Sequence, residues 1–237
     1  MAGHSKWANI KHKKAKVDAK RGKAFSRIVK EIISAVKIGG PDPKSNPRLR
    51  LVVQKAKAAN MSQDTIEKNI KKASDPDQSA FEEATYELYG YGGVGILVDI
   101  LTDNKNRTAS DMRIATNKRG GSIGTPGSVA FNFERKGIIG VERNKALEDE
   151  LFTLAIDSGA EDFEAGEHFV IITESSGLHS VEEALEKAGI EMASCEMGVL
   201  PKSTVSCSEE DTTKNLALIE WLEELDDVNE VHHNMEL

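Results

Sequence analysis

Long apolar runs and cysteines are both scarce in this sequence of 237 residues. No stretch approaches the roughly 18 to 20 consecutive apolar residues of a membrane-spanning helix, so we expect no membrane partner. The two cysteines, Cys195 and Cys207, have neither CxxC spacing nor a nearby histidine, which argues against a zinc site. We expect two reduced, partly buried thiols in a cytoplasmic protein.

Recognisable catalytic motifs are also missing. The six histidines show no HExxH spacing, and no serine stands in a GxSxG motif. The Gly-rich segment 120–128 lacks the Gly-Lys-Ser/Thr of a P-loop and does not fit GxGxxG, so we interpret it as a flexible connection. The sequence therefore predicts a protein that is not an enzyme, with no metal, no cofactor and no small-molecule substrate.

Charge is divided unevenly along the chain, although the formal net charge is only -8. Residues 1–72 hold 19 Lys and Arg against 5 Asp and Glu, a net charge of +14, whereas the remainder holds 12 against 34, a net charge of -22. A basic segment of this kind indicates a nucleic-acid or acidic partner. The acidic remainder should limit indiscriminate binding.

The first 23 residues form a basic arm in which Trp7 and His12 stand among lysines. Lys and Arg neutralise phosphates and release counterions, and a tryptophan can stack on an unpaired base. A solvated tail is the alternative for the arm, and packing on the protein's own core is an equally good interpretation of Trp7. The candidate nucleic-acid-binding residues of this domain are Lys6, Trp7, Lys11, His12, Lys13, Lys14, Lys20, Arg21, Lys23, Arg48 and Arg50.

Helical signals follow the arm. Apolar residues recur with helical spacing from Phe25 to Val36, and Gly39-Gly40 ends that helix. Asn46 before Pro47 predicts the cap of a second helix, and Ser62 that of a third. No helix-turn-helix of standard turn length is predicted, which argues against tight sequence specificity.

A second candidate patch lies at residues 104–108, between a predicted strand and a predicted helix. It comprises Asn104, Lys105, Asn106 and Arg107, with Arg113 farther along the helix. Backbone N–H groups at a helix start favour anions, and arginine can hold a phosphate through two bonds. A surface turn whose Asn side chains bond their own backbone is an equally good alternative. Thr108 with Asp111 predicts the helix cap.

Strands dominate beyond the linker at residues 75–77. We predict a hairpin over 86–101, a strand from Ser128 to Phe133, and a βαββαβ block over 137–199, which is a ferredoxin-like order. A strand at 204–206, a helix at 212–225 and a strand at 228–233 follow. The fold class is α+β and multidomain: a small helical N-terminal domain followed by two α/β domains, the second ferredoxin-like.

Several motifs resemble the YebC/PmpR family of proteins. They are MAGHSKWANIKHKK at 1–14, DAKRGK at 18–23, NPRLR at 46–50, KAKAANM at 55–61, LTDNKNRT at 101–108, GSV at 127–129 and FERKG at 133–137. The resemblance covers essentially the whole chain. Departures at Pro41, Ser62 and Tyr91 alter turns rather than charges.

The resemblance implies three domains, with one α/β domain inserted into the other. We expect a basic helical domain at 1–75, a discontinuous middle domain at 76–134 with 202–237, and the inserted domain at 135–201. The family implies a cytoplasmic, DNA-binding transcriptional regulator. Its mitochondrial relatives activate translation and some bacterial members relieve ribosome stalling on proline-rich nascent chains, so ribosomal RNA, and with it the ribosome, is the alternative partner. The inserted acidic domain would serve partner contact or spacing.

Overall fold

Seven helices and eight strands follow one another along residues 21–236, the part of the chain that the computed structural model describes. The elements are α1 Arg21–Gly39, α2 Pro47–Ala58, α3 Gln63–Ala73, β1 Glu82–Tyr89, β2 Gly95–Thr102, α4 Lys105–Arg119, β3 Ser122–Ile123, β4 Phe133–Glu142, α5 Glu148–Asp157, β5 Ala160–Ala165, β6 His168–Glu174, α6 Leu178–Lys187, β7 Met192–Pro201, α7 Glu209–Glu224 and β8 Val228–His233. Single 3-10 turns lie at Tyr91–Gly93 and Ala130–Asn132. The predicted α+β class is confirmed.

A bundle of three helices precedes the first strand. The apolar face of α1, with Ile32 fully buried, packs against Leu49 of α2 and Ile66 of α3. The helix ends where predicted, because Gly40 adopts a φ of +84°, which side chains other than glycine disfavour. These contacts give the N-terminal region a hydrophobic core of its own.

Both predicted caps in this bundle are confirmed. The Oδ1 of Asn46 accepts the N–H of Leu49 at 3.0 Å, and its Nδ2 donates to the carbonyls of Ala35 and Gly40, both at 2.8 Å. The buried Asn46 therefore starts α2 and also ties it to the end of α1. Ser62 caps α3 by accepting the N–H of Thr65.

The first sheet has the strand order β3-β1-β2-β8, and all of its pairs are antiparallel. Helices α4 and α7 cover one face, where Leu88 and Ile96 of the sheet pack with Met112 and Leu218 of the helices. Strand β8 follows the second sheet in sequence but pairs with β2, which precedes it. The predicted insertion of one α/β domain into another is therefore confirmed.

The second sheet has the order β5-β6-β4-β7, again antiparallel throughout. With α5 and α6 its elements follow one another as βαββαβ, so the ferredoxin-like prediction is confirmed. Its main core joins Ile139, Phe169 and Ile171 of the sheet to Leu151 and Leu185 of the helices. The boundaries placed at 75, 134 and 201 stay a prediction.

Thr108 does not cap α4, contrary to the prediction. The cap is Asn104, whose Oδ1 accepts the N–H groups of Asn106 and Arg107, both at 3.1 Å. Asparagine is a stronger N-cap than threonine, so the helix begins a turn earlier than predicted. Thr108 is buried instead, and its hydroxyl lies 2.9 Å from the carboxylate of Asp227.

Residues 128–133 do not form the predicted strand. The buried carboxylate of Glu87 accepts the N–H groups of Gly127, Val129 and Ala130 at 2.5 to 2.7 Å, so these donors are not available to a sheet. Strand β4 begins only at Phe133. The predicted strand at 204–206 is reduced to one bridge between residues 205 and 235.

The Gly-rich segment 120–128 is held in place rather than left as a flexible connection. Ser122 and Ile123 pair with β1, and Gly121 and Gly127 have φ of +88° and +85°, values that glycine adopts without strain. Burial opposes ionisation of Glu87, but its three backbone donors hold its pKa below the usual value. A charged carboxylate thus organises the loop.

Candidate nucleic-acid interface

Seven of the residues predicted to bind nucleic acid lie outside the described part of the chain. They are Lys6, Trp7, Lys11, His12, Lys13, Lys14 and Lys20. Arg21 is the first residue of α1. The structure therefore addresses the second half of the prediction, from Lys23 onward.

Cations on α1 contact the end of α7 in the first-sheet domain. Lys23 donates to the backbone carbonyl of Glu224 and lies 3.3 Å from its carboxylate, and Arg27 donates to the carbonyl of Glu223. Lys30 donates to the carbonyl of Asp226 at 2.8 Å. The last carbonyls of a helix carry partial negative charge, which attracts cations. Lys23 thus docks the helical bundle onto the acidic domain.

Arg48 and Arg50 also face other parts of the protein. Arg48 forms an ion pair with Glu83 of β1, which also accepts a bond from Ser34. The Nε of Arg50 is buried, with no hydrogen-bond partner among the described residues. Nearby, Lys55 joins Glu31 at 2.8 Å to Glu230 at 3.1 Å. α2 is therefore engaged with the remainder of the molecule through its charges.

The patch at residues 104–108 forms the capped turn that was the alternative to an anion site. Asn104 already occupies the N–H groups of Asn106 and Arg107. Lys105 pairs with Glu82, and Arg107 pairs with Asp103 at 2.7 Å. Arg107 also binds Asp227, and these hydrogen bonds raise the pKa of its guanidinium above the usual value. Only the exposed Asn106 side chain has no bond among the described residues of this patch.

Asp227 is the centre of the charged contacts between the bundle and the first-sheet domain. Its side chain is 4% exposed. Its carboxylate accepts two bonds from Arg107, the hydroxyls of Thr102 and Thr108, and Lys30 Nζ at 3.3 Å. Burial opposes ionisation, yet these donors hold the pKa of Asp227 below its usual value. The anion that these cations bind is therefore the carboxylate of Asp227 itself, and its role is structural.

Exposed cations without an ion pair among residues 21–236 lie elsewhere. On the helical bundle they are Lys44, Lys57, Lys71 and Lys72, and on α4 they are Arg113, Lys118 and Arg119, the last lying over the Trp221 ring. Lys68, which is 73% exposed, pairs with the equally exposed Asp64, and a pair of this kind is worth little. The spacing of Lys68, Lys71 and Lys72 predicts one helical face, a signal that the sequence analysis missed.

A cleft of ≈ 580 Å³ opens where the bundle meets both sheets. Its charged lining comprises Arg48, Lys55 and Arg135 with Glu31, Glu83, Asp99, Glu196 and Glu230. Most of these charges pair across the cleft, as Arg135 does with Asp99 at 3.5 Å. Because carboxylates outnumber the cations, the lining does not favour a phosphate.

The connection between α2 and α3 corrects the expectation about helix-turn-helix geometry. It comprises residues 59–62, and Asn60 has a φ of 58°. Four residues is the length of a helix-turn-helix turn. The first exposed side chains of α3 are nevertheless Gln63 and Asp64, followed by Glu67, so the part that would meet base edges carries no cation.

Metal binding, thiol chemistry and membrane spanning find little support in the described residues. They contain no group of three His, Cys, Asp or Glu side chains placed to hold a metal ion. Both cysteines are free, and burial raises the pKa of the Cys195 thiol to about 12. Within residues 21–236 no helix has the length and apolar character to cross a membrane.

Comparison with known proteins gives a family for both parts of the chain. Residues 5–76 match the family model described as TACO1/YebC protein N-terminal domain. Residues 81–235 match the model described as TACO1/YebC second and third domain.

Similar proteins cover nearly the full length. A probable transcriptional regulatory protein of Protochlamydia amoebophila is 60% identical, over 100% of this chain and 97% of that protein. One from Chlamydia felis is 57% identical, over 99% and 100%. The crystal structure of a conserved hypothetical protein from Aquifex aeolicus has a TM-score of 0.83 and 45% identity, covering 94% of this chain and 93% of that one. The chain therefore belongs to the TACO1/YebC family, the YebC/PmpR family that its motifs resemble.

Proposed function

We propose that this protein is a cytoplasmic, nucleic-acid-binding regulator of gene expression that works by binding rather than by catalysis. The observation that carries the proposal is the charge division, +14 over residues 1–72 against -22 over the rest. A strongly basic domain attached to an acidic body confines phosphate binding to one end of the molecule. The names of the Protochlamydia and Chlamydia relatives support a regulatory role.

The contacts of the described residues support a narrower proposal for the cations that bind phosphate. Lys23, Arg48, Lys105 and Arg107 contact acidic groups or carbonyls of the protein itself, so they are poorly placed to release counterions on binding. We assign the phosphate contacts to residues 6–21 and to the exposed lysines of the bundle. Those lysines are Lys44, Lys57, Lys71 and Lys72.

DNA and ribosomal RNA remain two forms of this proposal. Recognition of base edges by α3 would have to use Gln63, Asp64 and Glu67, which is unfavourable beside phosphates. Recognition by shape and phosphate alone suits structured RNA. The relatives' names favour DNA. A sucrose gradient of cell lysate at low and high salt separates the two, because a ribosome-bound protein sediments with ribosomes at low salt only.

The binding experiment measures fluorescence anisotropy against a DNA duplex and a structured ribosomal RNA fragment at several salt concentrations. A variant carrying Lys57→Gln, Lys71→Gln and Lys72→Gln should bind nucleic acid more weakly. The slope of the logarithm of its binding constant against the logarithm of salt concentration should become shallower by about 0.7 to 0.9 for each lost phosphate contact. A matched variant carrying Lys145→Gln, Lys187→Gln and Lys202→Gln loses the same charge from the other domains and should bind normally. An equal loss of nucleic-acid affinity in the two variants would contradict the proposal.

A further inference from the structure

The ferredoxin-like domain exposes apolar side chains along α5. Leu147, which precedes the helix, is 68% exposed, Phe152 is 48% exposed and Ile156 is 40% exposed. Phe152 and Ile156 are four residues apart and therefore lie on one helical face. Single exposed apolar residues are ordinary, whereas Phe152 and Ile156 form a row on one face; Leu147 precedes the helix and is not part of that row.

The row continues onto the sheet beside it. The ring of Phe152 meets that of Phe163 on β5 edge to face, with centroids 5.5 Å apart, and Phe163 stacks on the buried Phe169 at 5.6 Å. Strand β5 is at the edge of its sheet and pairs with β6 alone among the described strands. The exposed apolar surface thus extends from α5 to a sheet edge.

Carboxylates surround this surface. Residues 135–201 hold 15 Asp and Glu against 5 Lys and Arg, a net charge of -10. Asp149 lies one helical turn before Phe152, and Asp157 follows Ile156. Neither carboxylate forms an ion pair within residues 21–236. Negative charge around an apolar centre disfavours nucleic acid and favours a positively charged protein segment.

We propose that α5 and the adjoining edge of β5 form a docking surface for a lysine- or arginine-rich amphipathic segment of a partner protein. Its apolar side chains would cover Phe152 and Ile156, and its cations would meet Asp149 and Asp157. Charged pairs at the rim add rate and specificity, while the apolar centre supplies most of the affinity. The ferredoxin-like domain therefore binds a protein while the basic bundle faces nucleic acid.

The test uses the full-length protein and three synthetic peptides of about 14 residues, the length of about four helical turns. The first is amphipathic and built from Leu and Lys, the second replaces each Lys by Glu, and the third replaces each Leu by Gln. The NMR signals of isotope-labelled isoleucine methyl groups report where a peptide binds. Ile38 and Ile114, which are 68% and 47% exposed, serve as internal references on other surfaces. The Leu–Lys peptide should shift the methyl signal of Ile156 and leave the signals of Ile38 and Ile114 unchanged.

Variants then test the surface by calorimetry. Ile156→Ser should weaken binding of the Leu–Lys peptide by about tenfold, and Asp149→Asn with Asp157→Asn by several-fold. Phe131→Ser removes a 72% exposed aromatic from the other sheet domain and should change nothing.

Three results would overturn the inference. One is equal binding of the Glu-containing peptide, and another is a loss of peptide affinity with Phe131→Ser as large as that with Ile156→Ser. The third is a concentration-dependent dimer of the protein that Ile156→Ser abolishes, because the occupant would then be a second copy.

Discussion

Arg107 at the start of α4 donates to the carboxylate of Asp227, at the turn between α7 and β8, from Nε at 3.0 Å and from Nη2 at 2.7 Å to each oxygen. The two residues are 120 positions apart, and the whole ferredoxin-like domain lies between them in sequence. Lys30 of the helical bundle reaches the same carboxylate. One buried anion thus joins the two sequence halves of the first-sheet domain and also attaches the bundle to it.

Asp227→Asn should destabilise the protein at neutral pH by about 2–4 kcal/mol, because it leaves Arg107 without its buried partner. The pKa of Asp227 is held below its usual value, so its contribution is complete above the unfolded pKa of about 4 and is lost as pH falls through the folded pKa. Denaturant unfolding between pH 3 and pH 7 measures both effects. Asp226→Asn, at the exposed neighbouring position, is the control and should be nearly neutral. Equal unfolding free energies for the two variants would contradict this role.

Glu87→Gln should loosen the loop at residues 120–132. The carboxylate accepts three backbone N–H groups through its two oxygens. Glutamine keeps one acceptor oxygen and leaves at least one buried donor facing its NH2 group, so we expect a loss of about 2–3 kcal/mol. Because the pKa of Glu87 is held below its usual value, this contribution is complete above the unfolded pKa of about 4.3 and is lost as pH falls through the lower folded pKa. Hydrogen exchange at Val129 and Ala130 gives the local readout. Unchanged protection from hydrogen exchange in the variant would show that the glycines alone determine the conformation of the loop.

Cys195 should resist thiol–disulfide exchange with external reagents in the folded protein. Burial raises the pKa of its thiol to about 12, so at pH 8 almost none of it is the reactive thiolate. Burial also raises the pKa of the Cys207 thiol. Ellman's reagent at pH 8 should therefore react slowly with the native protein and rapidly after unfolding, where thiols have a pKa near 8.5. Cys207→Ser isolates the signal of Cys195. Immediate reaction of that variant in the folded state would contradict the prediction.

Local signals made much of the fold predictable from the sequence. Asn46 before Pro47 and Ser62 before α3 begin helices because their side chains satisfy backbone donors a few residues away. Thr108 is not the cap because Asn104 begins the helix one turn earlier, and Asp227 offers the Thr108 hydroxyl a distant partner. No local pattern shows that partner.

The candidate site was less predictable for the same reason. Abundant Lys and Arg identified the basic domain, but they did not show which of these cations pair with acidic groups of the protein itself. Lys23 and Arg48 find their acidic partners 201 and 35 positions away. Lys71 and Lys72 stay exposed because α3 presents them on its outer face, a feature that helical spacing could have revealed.

Arg48→Gln should separate docking from phosphate binding. Because Arg48 pairs with Glu83, the substitution should leave the salt dependence of nucleic-acid binding unchanged and lower stability by at most about 1 kcal/mol, the range of an exposed ion pair. The paired exchange Arg48→Glu with Glu83→Arg should restore stability. Lys71→Gln removes one charge from the same bundle but should make the salt dependence shallower by about one phosphate contact. Anisotropy titrations across salt concentrations compare the two, and a shallower dependence for Arg48→Gln would return Arg48 to the interface.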